Sequence, residues 1–230
     1  MNGWDLDIPM SAEEAVVGRR SVRQFLADDV DPEVVRTILA GASRAASGTN
    51  IQPWLVHVVI GEARDRLSEA VIAAAEAGER ELEYAYLAPS MDEPYLSRRR
   101  KVGYDLFSLY GIARDDYPAR QAAALRNFRF FGAPVGLFFT MERSHGLGAW
   151  LDSGMFMQNV MILARAHGLE TCPQQAWCDY GPVVHRILDI PDNQILLSGM
   201  AMGYEDLSAT VNQLITERAG PEEFTRWHTA

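Results

Sequence analysis

The sequence predicts an α+β fold built on a small mixed central β-sheet flanked by helices. Three observations predict it. Apolar residues recur at helical spacing along most of the chain, whereas only a few short β-branched runs read as strands. Those runs do not alternate regularly with helices, as a doubly wound parallel sheet requires. The 230 residues, 48% of them hydrophobic, supply enough material for one packed core, and no repeat or Gly/Ser- or Pro-rich linker divides them. A single domain spanning 1–230 is therefore expected.

In chain order, Ser11-Ala12-Glu13-Glu14 has the form of a capping box, and the helix it opens should end near Gly18. Asp31-Pro32 opens a second helix, whose Val34, Val35, Ile38, Leu39 and Ala42 form one apolar stripe. Leu55 to Ile60, after Pro53-Trp54, reads as a buried strand. Residues 62–79, rich in Ala, Glu and Arg, read as an exposed helix. From 80 to 114 the character changes, with Tyr84, Tyr86, Tyr95, Tyr104, Phe107 and Tyr110 mixed among Arg98, Arg99, Arg100 and Lys101. Rings beside a basic cluster either form a lid over an aromatic anion or pack two surface helices, and the pattern leaves both open.

A helix from Asp115 or Asp116, with Pro118 in its first turn, should carry Leu125, Phe128 and Phe131 to the turn Gly132-Ala133-Pro134. Val135 to Met141 is a second buried strand. Residues 149–167 form the longest apolar helix, and its Leu151, Met155, Phe156, Val160, Ile162 and Leu163 point nearly all round the axis. Such a helix needs partners on most sides, in the core or at a subunit interface. Gly168 fits its left-handed stop. Short strands at Leu169–Cys172 and Ile195–Met202, with a helix around Pro182–Leu188, complete the pattern.

Composition narrows function. A formal charge of -10 disfavours a nucleic-acid surface, which requires fields of Lys and Arg. No apolar run approaches the roughly 20 residues that span a bilayer, and Met1-Asn2-Gly3-Trp4-Asp5-Leu6-Asp7 lacks a basic region followed by an apolar one, so a soluble cytoplasmic protein without membrane contact is expected. Cys172 and Cys178 match neither a redox C-x-x-C pair nor a usual zinc spacing. The five histidines, His57, His145, His167, His185 and His228, are scattered without ligand spacing, and no metal is assigned. Asp152 and Ser153 near His145 lack a nucleophile elbow, which argues against a hydrolase.

Two segments have the composition of a binding site. Arg19-Arg20-Ser21-Val22-Arg23, followed by Phe25, concentrates guanidinium groups in an acidic chain; guanidinium binds phosphate oxygens through paired hydrogen bonds. By itself such a cluster is more often a solvated face. Ala46-Ser47-Gly48-Thr49-Asn50-Ile51-Gln52-Pro53-Trp54 is a polar turn running into a strand, and its amides offer donors and acceptors suited to the edge of a heterocycle. In isolation it reads better as a loop cap that satisfies its own backbone.

Taken together and in this order, the two segments resemble the nitroreductase family. That family opens with Arg, then Arg or His, then Ser, with a further cation and an aromatic at alternate positions, and continues with a small-residue turn ending in N-x-Q-P-W. Further similarity lies in Gly132-Ala133-Pro134-Val135, in Gly168-Leu169-Glu170-Thr171-Cys172-Pro173-Gln174, in Gly199-Met200-Ala201-Met202-Gly203-Tyr204 and in Thr216-Glu217-Arg218. Arg98 to Tyr104, with Gly111-Ile112-Ala113-Arg114, resembles the nitrobenzoate-reductase-like branch.

The resemblance implies a nitroreductase-like fold in an intertwined homodimer, with a lid or excursion at about 80–114 and a C-terminal arm at about 205–230. It implies bound FMN and NADPH or NADH as electron donor. Arg19, Arg20 and Ser21 would hold the FMN phosphate and ribityl chain with Arg218, and Arg23 would lie near flavin N1 and the C2 carbonyl. Ser47, Asn50 and Gln52 would contact the flavin from the partner subunit. Pro173, Gln174 and Gln175 would run beside the isoalloxazine with a backbone N–H near N5, and Gly199 belongs to the same cofactor-binding set. Several relatives carry an acidic residue and glycine where this chain has Gln174-Gln175. No catalytic side chain is implied, because flavin N5 carries the hydride. No G-x-G-x-x-G follows a strand, so the nicotinamide would stack transiently on the flavin in a ping-pong cycle. The implied reaction takes a nitroaromatic compound through nitroso to hydroxylamine. Quinones, enones or halogenated phenols as acceptors, or a flavin-binding protein without turnover, remain alternatives.

Overall fold

The computed structural model describes residues 10–229; the segment Met1 to Asp7 lies outside them. Helix α1 (Ala12–Gly18) begins as its sequence dictates: Ser11 Oγ accepts from Glu14 N at 3.2 Å, and the Glu14 carboxylate accepts from Ser11 N at 2.8 Å. Helix α2 (Pro32–Ala42) is capped by Asp31 and buries Val35, Ile38 and Ala42.

Strands β1 (Leu55–Ile60), β2 (Val135–Glu142), β3 (Glu170–Gln174) and β4 (Gln194–Gly203) form one sheet in the order β1-β2-β4-β3. Every pairing in it is antiparallel, so the expected mixed sheet is corrected. The reason is topological. β2 and β3 run in the same direction, but β4 inserts between them, and parallel pairing among the described residues is confined to two isolated bridges, Ser21 with Thr171 and Glu81 with Tyr180. Alternation along β2 sends Val135, Leu137, Phe139 and Met141 to one face and Phe138 to the other.

On the first face lie α2 and α6 (Leu147–Ala166), the latter inserting Phe156, Val160 and Ala164. On the second lie α3 (Gly61–Glu76), α7 (Gly181–Leu188) and an aromatic cluster around Trp177. Helix α3 is not simply exposed: Leu67, Val71 and Ile72 are buried, because every third or fourth position in its Ala/Glu/Arg sequence is apolar. Strand β1 is less buried than its apolar sequence predicts. It pairs only with β2 and leaves Leu55, Val58 and Ile60 more than two-fifths exposed.

Helix α5 (Tyr117–Leu125) stops short of the turn at Gly132. A 3-10 segment, Arg126–Gly132, follows, in which Phe130 and Phe131 take left-handed φ values of 51° and 55°. One helical face cannot present Phe128, Phe130 and Phe131 together. The broken backbone does, placing Phe128 and Phe130 with ring centroids 5.2 and 4.7 Å from Trp177.

The stretch from 80 to 114 contains one helix rather than two, α4 (Tyr95–Leu109), and none of its residues is buried. Arginines cover its rings: Arg120 lies 4.2 Å from the Phe107 centroid and Arg126 5.1 Å from that of Tyr110. The root of this excursion is firmly stitched. Glu81 N and Glu83 N donate to Asp179 O and Cys178 O at 2.9 and 2.7 Å, and the buried Glu83 carboxylate pairs with Arg143 and lies 3.4 Å from His185 Nε2. The C-terminal arm ends in a short helix, α8 (Pro221–Phe224), whose Glu223 pairs with Arg98 of α4 at 3.0 Å.

Candidate functional site

The segment Arg19 to Arg23 leaves α1 in extended conformation and is held on both sides. Val22 N donates to Thr171 O of β3 at 3.1 Å. Arg23 N donates to Asn212 Oδ1 at 2.8 Å, and Asn212 Nδ2 donates to Gln24 O at 2.8 Å. The Arg20 guanidinium is engaged by the protein: Nη2 reaches both Glu205 oxygens at 2.7 Å and Nε donates to Asn212 O at 3.3 Å. The Arg19 side chain, by contrast, has no hydrogen-bond or ion-pair partner among the described residues, and the Arg23 side chain donates only to Ser21 O at 3.2 Å. One face of this segment is thus structural and the other is free to bind.

Arg19 and Arg20 line a cleft of about 650 Å³ together with Gln158, Arg165 and Arg218. Arg218 arrives from the C-terminal arm, bonded to Thr216 Oγ1 at 2.6 Å. Arg165, in the last turn of α6, pairs with Glu170 at the start of β3. Burial raises the Glu170 carboxyl above its ordinary range, against the opposing pull of Arg165 and Arg20. Four guanidinium groups therefore meet two carboxylates, Glu170 and Glu205, leaving two positive charges without a counterion among the described residues.

At the other end of β3, Pro173 lies opposite Met200, and Gln174 opposite Gly199. The side chains here turn into the protein. Gln174 Nε2 donates to Asn127 O at 2.6 Å, and its Oε1 accepts from Trp177 Nε1 at 3.3 Å. Gln175 Nε2 donates to Leu197 O at 2.9 Å and contacts the Tyr84 hydroxyl, which itself donates to Leu197 O at 2.6 Å. Burial holds the Tyr84 phenol far above its ordinary pKa. Gly199 has a packing reason to be glycine, since any Cβ there would run into the Trp177 indole. What Pro173 to Gln175 offers a ligand is backbone. Between the two ends sits buried Cys172, its thiol pushed up to about 11 by burial and pulled the other way by Arg23, Ser21 and Arg19. The strand end and the arginine segment thus flank one residue.

The polar turn lies apart. In the 3-10 turn Gly48–Asn50 and just beyond it, Thr49, Asn50 and Gln52 have φ values of 48°, 62° and 47°, left-handed positions that favour glycine. Strain of this kind collects at binding sites. Ser47 Oγ accepts from Gln52 N at 3.1 Å, and the buried Asp152 carboxylate of α6 accepts from Gly48 N at 3.1 Å. Asn50 and Gln52 are exposed, and no residue of this turn lines the arginine cleft of its own protomer. Beside it, Leu147, Leu151 and Met155 of α6 form an uncovered apolar ridge.

The profile of the Nitroreductase family matches residues 16–204. The chain belongs to the nitroreductase family. It is 39% identical over 215 residues to the chloronitrobenzene nitroreductase of Comamonas testosteroni, covering 93% of this chain and 95% of that one. It is 35% identical over 215 residues to the 4-nitrobenzoate reductase of Pseudomonas putida, covering 94% of each. Among solved structures, the FMN and NADPH-dependent nitroreductase NfnB from Sphigopyxis sp. strain HMH superposes with a TM-score of 0.94 at 42% identity, covering 96% of this chain and all of that one.

In this nitroreductase, then, the fold brings Arg19, Arg20 and Arg218 into one cleft and sets Ser21 and Arg23 beside Cys172. Ser47, Asn50 and Gln52 stay on a separate surface. Three residues of the site escape a reading of motifs. Arg165 was visible only as a lone cation in an apolar helix. Tyr84 is legible only as one of the rings between 80 and 114, and Arg126 carries no signal. Arg126 joins the end of the excursion to the arginine segment, stacking on Tyr110 while Nη2 bonds the Gln24 side chain. No cluster of three or more His, Cys, Asp or Glu suited to a metal occurs among the described residues, and none of their helices is long and apolar enough to cross a membrane.

Proposed function

We propose that this chain is an FMN-dependent NAD(P)H oxidoreductase that reduces nitroaromatic compounds, acting as a cytoplasmic homodimer of single-domain subunits. The observation that carries the reading is the arginine cleft. Its two positive charges without a counterion among the described residues match a phosphate monoester, which carries about -1.5 to -2 at neutral pH. The residues present therefore fit FMN.

Arg19 and Arg218 are the groups free to bind the phosphate, with Ser21 towards the ribityl chain. Arg20 positions Arg19 and Ser21, since its bonds to Glu205 and Asn212 fix the segment from which they project. When bound, FMN accepts a hydride at N5 from the nicotinamide and delivers it to the acceptor. Arg23 contributes a fixed positive charge that favours the reduced, more negative ring. The backbone of Pro173 to Gln175 would run beside the isoalloxazine when FMN is bound, with Gln174 and Gln175 as the available N–H donors, since proline has none. Gly199 supports this strand end from β4 by admitting Trp177.

A second copy of the chain completes the site. The ridge Leu147, Leu151 and Met155 would be covered by it, and the strained Ser47–Gln52 turn beside the ridge would then serve the partner's flavin. The excursion with Tyr84, Tyr110 and α4 shields the ring from water. The chemistry balances without a protein nucleophile: each NAD(P)H supplies two electrons as a hydride, which with one proton from solvent takes ArNO2 to ArNO and water, and a second hydride and proton give the hydroxylamine.

Purified protein is expected to be yellow, or to become so with added FMN, and to oxidise NADPH or NADH faster with a nitroarene than without. Colourless protein that fails to take up FMN would overturn the proposal. Rates with a quinone, an enone and a halogenated phenol fix the acceptor class, nitroarenes being expected to lead.

A further inference from the structure

We propose that Arg165 is a further phosphate-binding residue of the arginine cleft, and that Gly18 is glycine to leave it room. The inference rests on the FMN reading but adds a residue from a different element, α6, to a set drawn from the Arg19 segment and the C-terminal arm.

Arg165 lines the cleft that holds Arg19, Arg20 and Arg218. Its Nη1 takes Glu170, while its Nε is buried without a partner and its Nη2 makes no hydrogen bond among the described residues. A guanidinium has five N–H donors in one plane. One carboxylate does not satisfy them. A Cβ on Gly18 would fall 2.7 Å from Arg165 Nε and still closer to Nη2, so the helix end is cut back to glycine where the guanidinium passes. Gly18 has no positive φ to explain it otherwise.

The electrostatics point the same way. Glu205 belongs to Arg20 at 2.7 Å, and Glu170 lies between Arg165 and Arg20, so the four form a neutral network beneath the cleft. Arg165 also lines an adjoining depression with Glu13, Glu14 and Gly18, where the Glu14 carboxylate is held by Ser11 and forms no ion pair with Arg165 among the described residues. An anion bound between Arg19 and Arg218 would find the free edge of Arg165 as a third donor, already oriented by Glu170.

The test compares FMN with riboflavin, which shares the ring and lacks the phosphate, in fluorescence titrations of the full-length apoprotein. Arg165→Met combined with Glu170→Gln removes the guanidinium without stranding a buried carboxylate. It is expected to weaken FMN by about 10–100-fold, the effect of losing one charge-assisted hydrogen bond, and to leave riboflavin within about twofold. Arg165→Lys should recover part of the loss, because it restores charge but not the fork. Gly18→Ala, which displaces Arg165 without touching its chemistry, should reproduce the same phosphate-selective loss. Unchanged FMN affinity in the double variant, or equal loss of FMN and riboflavin, would overturn the assignment. Wild-type protein that binds neither flavin would overturn the FMN reading and this assignment with it.

Discussion

Arg19 and Arg20 are adjacent, identical in type and part of one motif, yet their surroundings predict opposite behaviour on replacement. Arg20→Ala would leave Glu205, whose side chain is only 9% exposed, without its counterion. Breaking a buried pair from one side costs about 3–5 kcal/mol. Arg20 is itself 32% exposed, so solvent screening lowers the cost to just below that range, about 2–3 kcal/mol. For a chain of this size each kcal/mol moves Tm by about 2–4 °C, so the apoprotein should melt about 4–12 °C lower. Arg19→Ala breaks no bond among the described residues and should change apoprotein stability by less than about 0.5 kcal/mol. Its effect should fall on FMN, with affinity lowered about 10–100-fold by loss of one charged donor. Thermal unfolding of the two apoproteins, followed by FMN titration of each, separates the cases. Arg20→Met with Glu205→Gln should regain most of the lost stability. Equal loss of Tm in the two single variants, or an unchanged Tm in Arg20→Ala, would refute the division into one structural and one binding arginine.

Three other outcomes follow from the packing and the protonation states. Gly199→Ala forces a methyl group into the buried Trp177 ring and should cost about 1–3 kcal/mol by chemical denaturation, although Gly199 touches no ligand in this account. Tyr84→Phe removes the hydroxyl that shares Leu197 O with Gln175; FMN affinity should hold, while the flavin midpoint potential shifts because the backbone at Gln175 loses its anchor. An unchanged potential would show that Gln175 is held by Leu197 alone. Both thiols should be inert to a thiol reagent at pH 8 in native protein and react fully once it is unfolded. Burial raises Cys172 from 9.0 to about 11 and Cys178 further, so the fold binds these protons more tightly than the unfolded chain. Stability is therefore fully present below pH 9 and declines as pH rises towards 11, a decline that Cys172→Ala should reduce.

Much of this fold is local and hence legible in the sequence. Ser11 with Glu14, and Asp31 with Pro32, place two helix starts because caps involve neighbours only. The apolar run of β2 and the unusual all-round hydrophobicity of α6 announce burial and an uncovered ridge. What sequence could not supply are choices made by distant partners. The backbone leaves the helical conformation at Phe130 and Phe131, and Phe130 meets Trp177. Glu205 claims Arg20 from 185 positions away. Gln174 and Gln175 look like ligand-facing amides in a motif, but Asn127, Leu197 and Tyr84 draw their side chains inward. The same reasoning explains β1: alternation reports an apolar strand, whereas its place at the sheet edge, set by topology, leaves half of it uncovered.

The central claim is that this chain holds FMN and passes electrons from a nicotinamide to a nitroarene. An anaerobic absorbance titration of the FMN-loaded protein tests it most directly. One equivalent of NADPH or NADH per flavin should bleach the visible flavin bands, and a nitroarene such as 4-nitrobenzoate, added afterwards without oxygen, should restore them. Flavin that is not bleached by either nicotinamide, or that stays bleached when the nitroarene is added, would contradict the account.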